Sequence, residues 1–230
     1  MKRLVLGIVG GLALLALSGL AGWRLHRPAA DARAYAVMRL IAVQVSLDEA
    51  PPDYVFWGGD SQVELQPGGQ PVCGLPLVNG GVSGSTAAAY ADHLAGLTFK
   101  AHPRIAALTI GTNDILAKNK PRAPEPAARF EASAAAIVTR LQALSPRVVV
   151  TALPPVGREI ADLVDAAAVG EYSQRLRALC GRLGCVFADP FAALRDGETG
   201  YAKPGALRDG LHLAAFRPAL RALEPALCGG

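Results

Sequence analysis

Short, unbroken apolar runs set apart by longer helical stretches constrain this chain more than any other feature. Residues 54–57, 75–78, 105–110, 147–152 and 185–188 read as five strands, the fourth built around Val148-Val149-Val150. A strand with one wet face alternates apolar and polar residues. These runs do not, so both of their faces must be covered. Between them residues 85–97, 125–144 and 170–183, and after them residues 214–227, have helical character. A Pro-rich stretch and Pro146 bound the second of these, and Gly184 ends the third. Strands alternating with helices predict an α/β fold with a parallel sheet, in which functional groups gather beyond the carboxyl ends of the strands. The 230 residues, 51% of them hydrophobic, fit one domain with a sizeable core.

The N-terminus is of another kind. Lys2 and Arg3 precede an uncharged run over residues 4–23. As a helix rising ~1.5 Å per residue, that run spans roughly 30 Å, the thickness of a hydrocarbon core. Cleavable signals usually have shorter apolar regions of about 7–15 residues, although Gly19-Leu20-Ala21 offers a small-x-small cleavage pattern. The expectation is a signal-anchor or signal peptide over residues 1–27, a juxtamembrane helix over 28–50 and a catalytic domain over 51–230. The helix either packs on the domain or stands as a stalk, and Pro51-Pro52 ends it. That places the domain in the periplasm, anchored to the inner membrane or released if the segment is cut. The net charge of +4 is scattered, with no basic run interleaved with aromatics, so nucleic acid is not an expected partner.

The four cysteines, Cys73, Cys180, Cys185 and Cys228, include no C-x-x-C pair and no histidine at ligand spacing, so no metal site is expected. Two readings stay open: up to two disulfides, or buried thiols acting as small apolar residues. Cys180 and Cys185 are near enough in sequence to close a small loop, but a helix-to-strand junction lies between them.

The first strand runs into Gly59-Asp60-Ser61, the second into Asn79-Gly80-Gly81-Val82-Ser83-Gly84, and the third into Gly111-Thr112-Asn113-Asp114. Near the C-terminus stands Asp209-Gly210-Leu211-His212. Acyl transfer needs residues of these types. A serine is a weak nucleophile until a base takes its proton. His212 is the candidate base and Asp209 the group that fixes its tautomer. The tetrahedral oxyanion needs donors, for which the amides of Ser61 and Gly84 and the Asn113 side chain are candidates.

These four segments, in this order, resemble the signature blocks of the SGNH/GDSL hydrolases, whose defining residues are Ser, Gly, Asn and His. The resemblance implies a three-layer α/β/α fold of flavodoxin-like strand order and an esterase that uses no cofactor and no metal. It implies Ser61 as nucleophile, Asp209 and His212 as its triad partners, and Ser61, Gly84 and Asn113 as the oxyanion hole. Gln62 and Val63 stand where many members have Leu or Ile then Thr, and Phe216 stands near their Gly-Tyr. These departures bear on specificity, not on catalysis.

The expected activity is cleavage of carboxylic esters or thioesters, with a small molecule, a lipid or a glycan ester as substrate and the N-terminal segment as the link to a membrane. An acyltransferase acting on a surface glycan and an idle binding module are the alternatives. The oligomeric state is open. Of the other histidines, His26 flanks the apolar run, His93 reads as a solvated helix residue and His102 as a loop residue. Asp60 and Asp114 read as hydrogen-bond acceptors that fix loops, and Glu64 as a solvated side chain. Trp57, Val63, Ile115 and Leu116 are candidates to line an acyl pocket, with core packing the better reading of Trp57.

Overall fold

Burial explains why the strands carry no alternation. The computed structural model describes residues 31–229. In it β1 (Val55–Gly59), β3 (Ile105–Thr109) and β4 (Val148–Thr151) are buried at every position. The outer strands β2 (Leu77–Gly81) and β5 (Val186–Ala188) are partly exposed. All pairings are parallel, in the order β2-β1-β3-β4-β5. This is the flavodoxin-like order, with its switch point between β1 and β3, where the chain leaves in opposite directions and a crevice opens.

Successive side chains of a strand point to opposite faces, so each strand feeds two layers. Phe56, Ala106, Leu108, Val148 and Val150 face α3 (Ala87–Ala95), α4 (Pro124–Gln142) and α5 (Ala166–Leu183), which contribute Tyr90, Ile137 and Leu176 among others. Val55, Trp57, Ile105 and Ala107 face the other way, onto Val63 of the short helix α2 (Ser61–Glu64) and Leu223 and Leu227 of α6 (Arg217–Cys228). Three layers result. Each large apolar side chain buried in them stabilises the fold by about 1.5–3 kcal/mol.

The helix preceding this sheet, α1 (Ala32–Asp48), belongs to the same compact unit from Ala36 onward. Val43 and Leu47 are buried in the α3–α5 layer, with Ala36 and Leu40 packed beside them. From Ala36 on, therefore, the helix packs on the domain rather than standing off it. Among the described residues no helix is long and apolar enough to cross a membrane, and the expected anchor over residues 4–23 lies outside them.

Several boundaries differ from the sequence expectation. Strand β1 continues through Gly58-Gly59 and β2 through Asn79-Gly80-Gly81, residues whose composition reads as loop. Tertiary packing overrides propensity here. A Cβ on Gly59, whose φ is +152°, would lie 2.0 Å from the Thr109 carbonyl oxygen, so only glycine lets the strand end this close to β3. Helix α5 begins at Ala166 rather than near Gly170, because the Asp165 side chain caps it, accepting from the Ala167 amide at 3.2 Å.

Both disulfides of the permitted pair form, Cys73–Cys228 and Cys180–Cys185. The helix-to-strand junction does not hold the second pair apart: Gly184 turns the chain in the left-handed region and brings their Cα atoms to 4.5 Å. Cys73–Cys228 spans 155 residues and ties α6 to the loop before β2. A cross-link closing so long a loop removes far more unfolded-state freedom than one closing five residues. Cys228→Ser should therefore destabilise the domain by about 2–5 kcal/mol, and Cys185→Ser by clearly less. Thermal unfolding of both variants checks the ranking, and equal midpoints would contradict it.

Candidate active site

Ser61 is the first residue of α2, directly beyond the end of β1. The helix starts there because Asp60 caps it, its carboxylate accepting from the Gln62 amide at 3.0 Å. The other oxygen of Asp60 accepts from the Thr112 amide at 3.1 Å, tying the serine turn to the loop that carries Asn113. Asp114 acts in the same way one loop further on, accepting from the Ala87 amide at 2.9 Å at the start of α3. Both aspartates are loop-fixing acceptors, as the sequence suggests. Burial pushes each carboxyl up to about 6, opposed in Asp60 by the amides of Gln62 and Thr112 and in Asp114 by the Ala87 amide.

The Asp209–His212 segment is a tight turn. The Arg208 amide donates to the His212 carbonyl at 2.9 Å, and Gly210 takes φ +80° at the bend. The loop after β4 braces it: the Gly157 amide donates to the Gly210 carbonyl at 2.6 Å. A Cβ on Gly157 would stand 2.6 Å from the Gly210 Cα, so glycine is required for that approach.

The turn delivers its imidazole to the serine. His212 Nε2 lies 2.9 Å from Ser61 Oγ across 151 residues of sequence, and His212 Nδ1 lies 2.7 Å from Asp209 Oδ2. The other Asp209 oxygen accepts from the amides of Leu211 at 3.0 Å and His212 at 2.8 Å. Burial alone would raise the Asp209 carboxyl. The His212 amide and ring and the Leu211 amide outweigh it and hold the group down at about 2. An ionised carboxylate can only accept, so the proton between Asp209 and His212 belongs to Nδ1. Nε2 is left with a lone pair facing the Ser61 hydroxyl, the tautomer a general base needs.

Ser61, Gly84 and Asn113 all emerge at the same end of the sheet. Gly59 pairs with Gly81 on one side and with Thr109 on the other, so the three loops leave β1, β2 and β3 at one level. Among the described residues neither the Ser61 amide nor the Gly84 amide has a protein acceptor. Asn113 Nδ2 donates one hydrogen to the Ser85 carbonyl at 3.0 Å and keeps its second. Its own carbonyl is held by Asn119 Nδ2 at 2.9 Å. The Ser61 and Gly84 amides and the second Asn113 N–H thus stand on loops that leave the sheet at one rim.

The pocket candidates fare differently. Val63 and Ile115 are fully packed into opposite core layers, and Trp57 is buried with its indole N–H donating to Thr109 Oγ1 at 3.1 Å. Trp57 does edge a crevice with Gln62, Phe191, Leu213 and Phe216, but its open volume is about 10 Å³, the room of a single water. Glu64 is not a solvated side chain: it accepts from the Ser83 amide at 2.6 Å, because α2 packs against the end of β2. Gln62, which the sequence marks only as a departure bearing on specificity, has a positioning role as well: its Nε2 donates to the Leu211 carbonyl at 2.7 Å and joins the serine helix to the histidine turn. No local pattern announces a bond between residues so far apart in the chain. Among the described residues no three His, Cys, Asp or Glu side chains gather as a metal site would need.

The model of the GDSL-like lipase/acylhydrolase family matches residues 48–215. Among solved structures, a Streptococcus pneumonia protein whose provisional name refers to platelet activating factor aligns with a TM-score of 0.70 at 21% identity, over 92% of this chain and 97% of its own. A GDSL-like lipase from Bacteroides thetaiotaomicron aligns at 0.59 and 17%, over 85% and 94%. An acetyl-xylooligosaccharide esterase variant from Geobacillus stearothermophilus aligns at 0.56 and 17%, over 79% and 95%. No curated protein sequence matches.

A carboxyl whose pKa is raised in the folded state favours folding when protonated. That contribution is complete below the unfolded value of about 4 and is lost as pH rises through the folded one. For Asp60 and Asp114 the loss therefore accrues between about pH 4 and about pH 6. The thermal midpoint should fall across that range. In Asp114→Asn, which keeps an acceptor for Ala87, it should fall less steeply. Melting curves across this range test the claim, and parallel slopes would show that Asp114 does not carry the effect.

Proposed function

The chain belongs to the GDSL-like lipase/acylhydrolase family and is a carboxylic ester hydrolase, and from that premise we propose that it works through an acyl-enzyme on Ser61, outside the cytoplasm. The observation that carries this reading is the line Ser61 Oγ to His212 Nε2 at 2.9 Å and His212 Nδ1 to Asp209 Oδ2 at 2.7 Å.

The chemistry follows from that line. As Ser61 Oγ attacks the acyl carbon, its proton passes to His212 Nε2, and Asp209 stabilises the imidazolium. The carbonyl oxygen becomes an oxyanion facing the amides of Ser61 and Gly84 and the free N–H of Asn113. Each such donor supplies about 2.7–4 kcal/mol more to the transition state than to the ground state. The imidazolium gives its proton to the departing alcohol, leaving Ser61 acylated. Water then attacks the acyl carbon with His212 again as base, and the acid is released with Ser61 restored.

One structural relative is an acetyl-xylooligosaccharide esterase, which makes short acyl groups on a glycan the favoured substrate class. Three features support action outside the cytoplasm. The uncharged run over residues 4–23 is long enough to anchor the chain. All four cysteines are paired, which suits an oxidising compartment. Helix α1 adds an exposed apolar face of Val37, Met38, Ile41 and Val45 soon after that run, the kind of surface that lies at a lipid interface.

A fluorophosphonate probe should label Ser61, and neither Ser61→Ala nor His212→Ala should be labelled. Asp209→Asn should lower kcat roughly a thousandfold or more. Mass spectrometry of the labelled peptide and turnover of p-nitrophenyl acetate read these outcomes. Labelling at another residue, or substantial turnover by Ser61→Ala, would require a different nucleophile.

A further inference from the structure

Strand β2 is an edge strand, so one side of its backbone has no partner strand. Carbonyls two residues apart on a strand point the same way, which leaves the Asn79 and Gly81 oxygens needing a donor at that edge. Helix α1 supplies it. Arg39 Nε donates to the Gly81 carbonyl at 2.8 Å and Arg39 Nη2 to the Asn79 carbonyl at 2.7 Å, with Asn79 Oδ1 also 3.1 Å from Nη2. A planar guanidinium can serve both carbonyls at once; a single ammonium cannot hold that fork.

The same cation reaches the loop beyond. Arg39 Nε lies 3.7 Å from Glu64 Oε1, and the other Glu64 oxygen accepts from the Ser83 amide at 2.6 Å, one residue before Gly84. Asn79 completes the frame, its Nδ2 donating to the Val63 carbonyl at 2.7 Å and its Oδ1 accepting from the Gly81 amide at 3.0 Å. The Arg39 and Glu64 side chains are 20% and 14% exposed, so solvent screens this network only in part. Between Arg33 and Asp48 the helix carries no other charged residue, and this one points inward. The family match begins at residue 48, at the end of α1.

We propose that Arg39 is a positioning residue for the oxyanion loop: through the Asn79 and Gly81 carbonyls and through Glu64 it sets where the Gly84 amide stands. Helix α1 is then a working part of the active site although it lies outside the family-matched segment. The proposal rests on the Gly84 amide being an oxyanion donor, as in the reading above.

A small displacement of a donor costs catalysis far more than it costs substrate binding. Arg39→Ala should lower kcat about 10- to 100-fold with KM little changed. It should weaken inhibition by a boronic acid, whose tetrahedral adduct carries the oxyanion, by the same factor. The acid limb of the pH–rate profile should not move, because the Ser61–His212–Asp209 line is untouched. Arg39→Lys should recover only part of the loss, and it keeps the test open if the alanine variant does not fold. Gln44→Ala serves as the control. It removes the α1 contacts with the Thr98 backbone, both at 3.0 Å, and should lower the melting temperature with kcat unchanged. Wild-type kcat in folded Arg39→Lys or Arg39→Ala, or a fall in kcat with full boronate affinity, would overturn the proposal. Retained turnover in Ser61→Ala would instead overturn the acyl-enzyme reading itself.

Discussion

The place of β1 between β2 and β3, flush in register with both, is the constraint from which the site follows. Gly59 lies opposite both Gly81 and Thr109, so the loops bearing Ser61, Gly84 and Asn113 begin at one height. Parallel strands point their carboxyl ends the same way, and the switch in strand order between β1 and β3 keeps helices from closing over that end. The approach is close enough that a single Cβ at Gly59 would collide with β3 backbone. Slipping the register by one residue would bury the wrong faces and separate the donors together.

Two aspartates near Ser61 show how environment divides labour between identical side chains. Asp60 is wholly buried, and desolvation raises its pKa to about 6 while two amides hold it in place. Asp209 is half exposed and surrounded by donors, which hold its carboxyl at about 2. The first is suited to fixing backbone, the second to remaining ionised beside an imidazole that gains charge.

Helix α1 enlarges the working domain. Its buried side, Val43 and Leu47, completes the α3–α5 layer, and its one inward cation meets the exposed edge of β2. An edge strand needs some device to occupy its free carbonyls, and here that device is wired to the loop carrying Gly84. Stability and site geometry are therefore coupled through one guanidinium.

Much of this was legible in the residues alone. Continuous apolar runs specify strands buried on both faces, because water on either face would have selected polar residues there; Ser61 and Asn113 stood out beyond strand ends and His212 in a C-terminal turn, because acyl transfer demands those types. What could not be read was anything set by packing between distant segments. Gly58-Gly59 and Gly80-Gly81 look like loop until neighbouring backbones press on them. Glu64 looks solvated until α2 folds against β2. Gln62 and Arg39 carry no local signal, since their partners lie far off in the chain or on another element. The cysteine pairing was decided only when α6 reached the loop at Cys73 and Gly184 turned Cys185 back on Cys180. Local sequence determines which residues are apolar, flexible or reactive. The distances between them are fixed only by the folded chain, because a hydrogen bond depends on ångströms that no spacing along the sequence records.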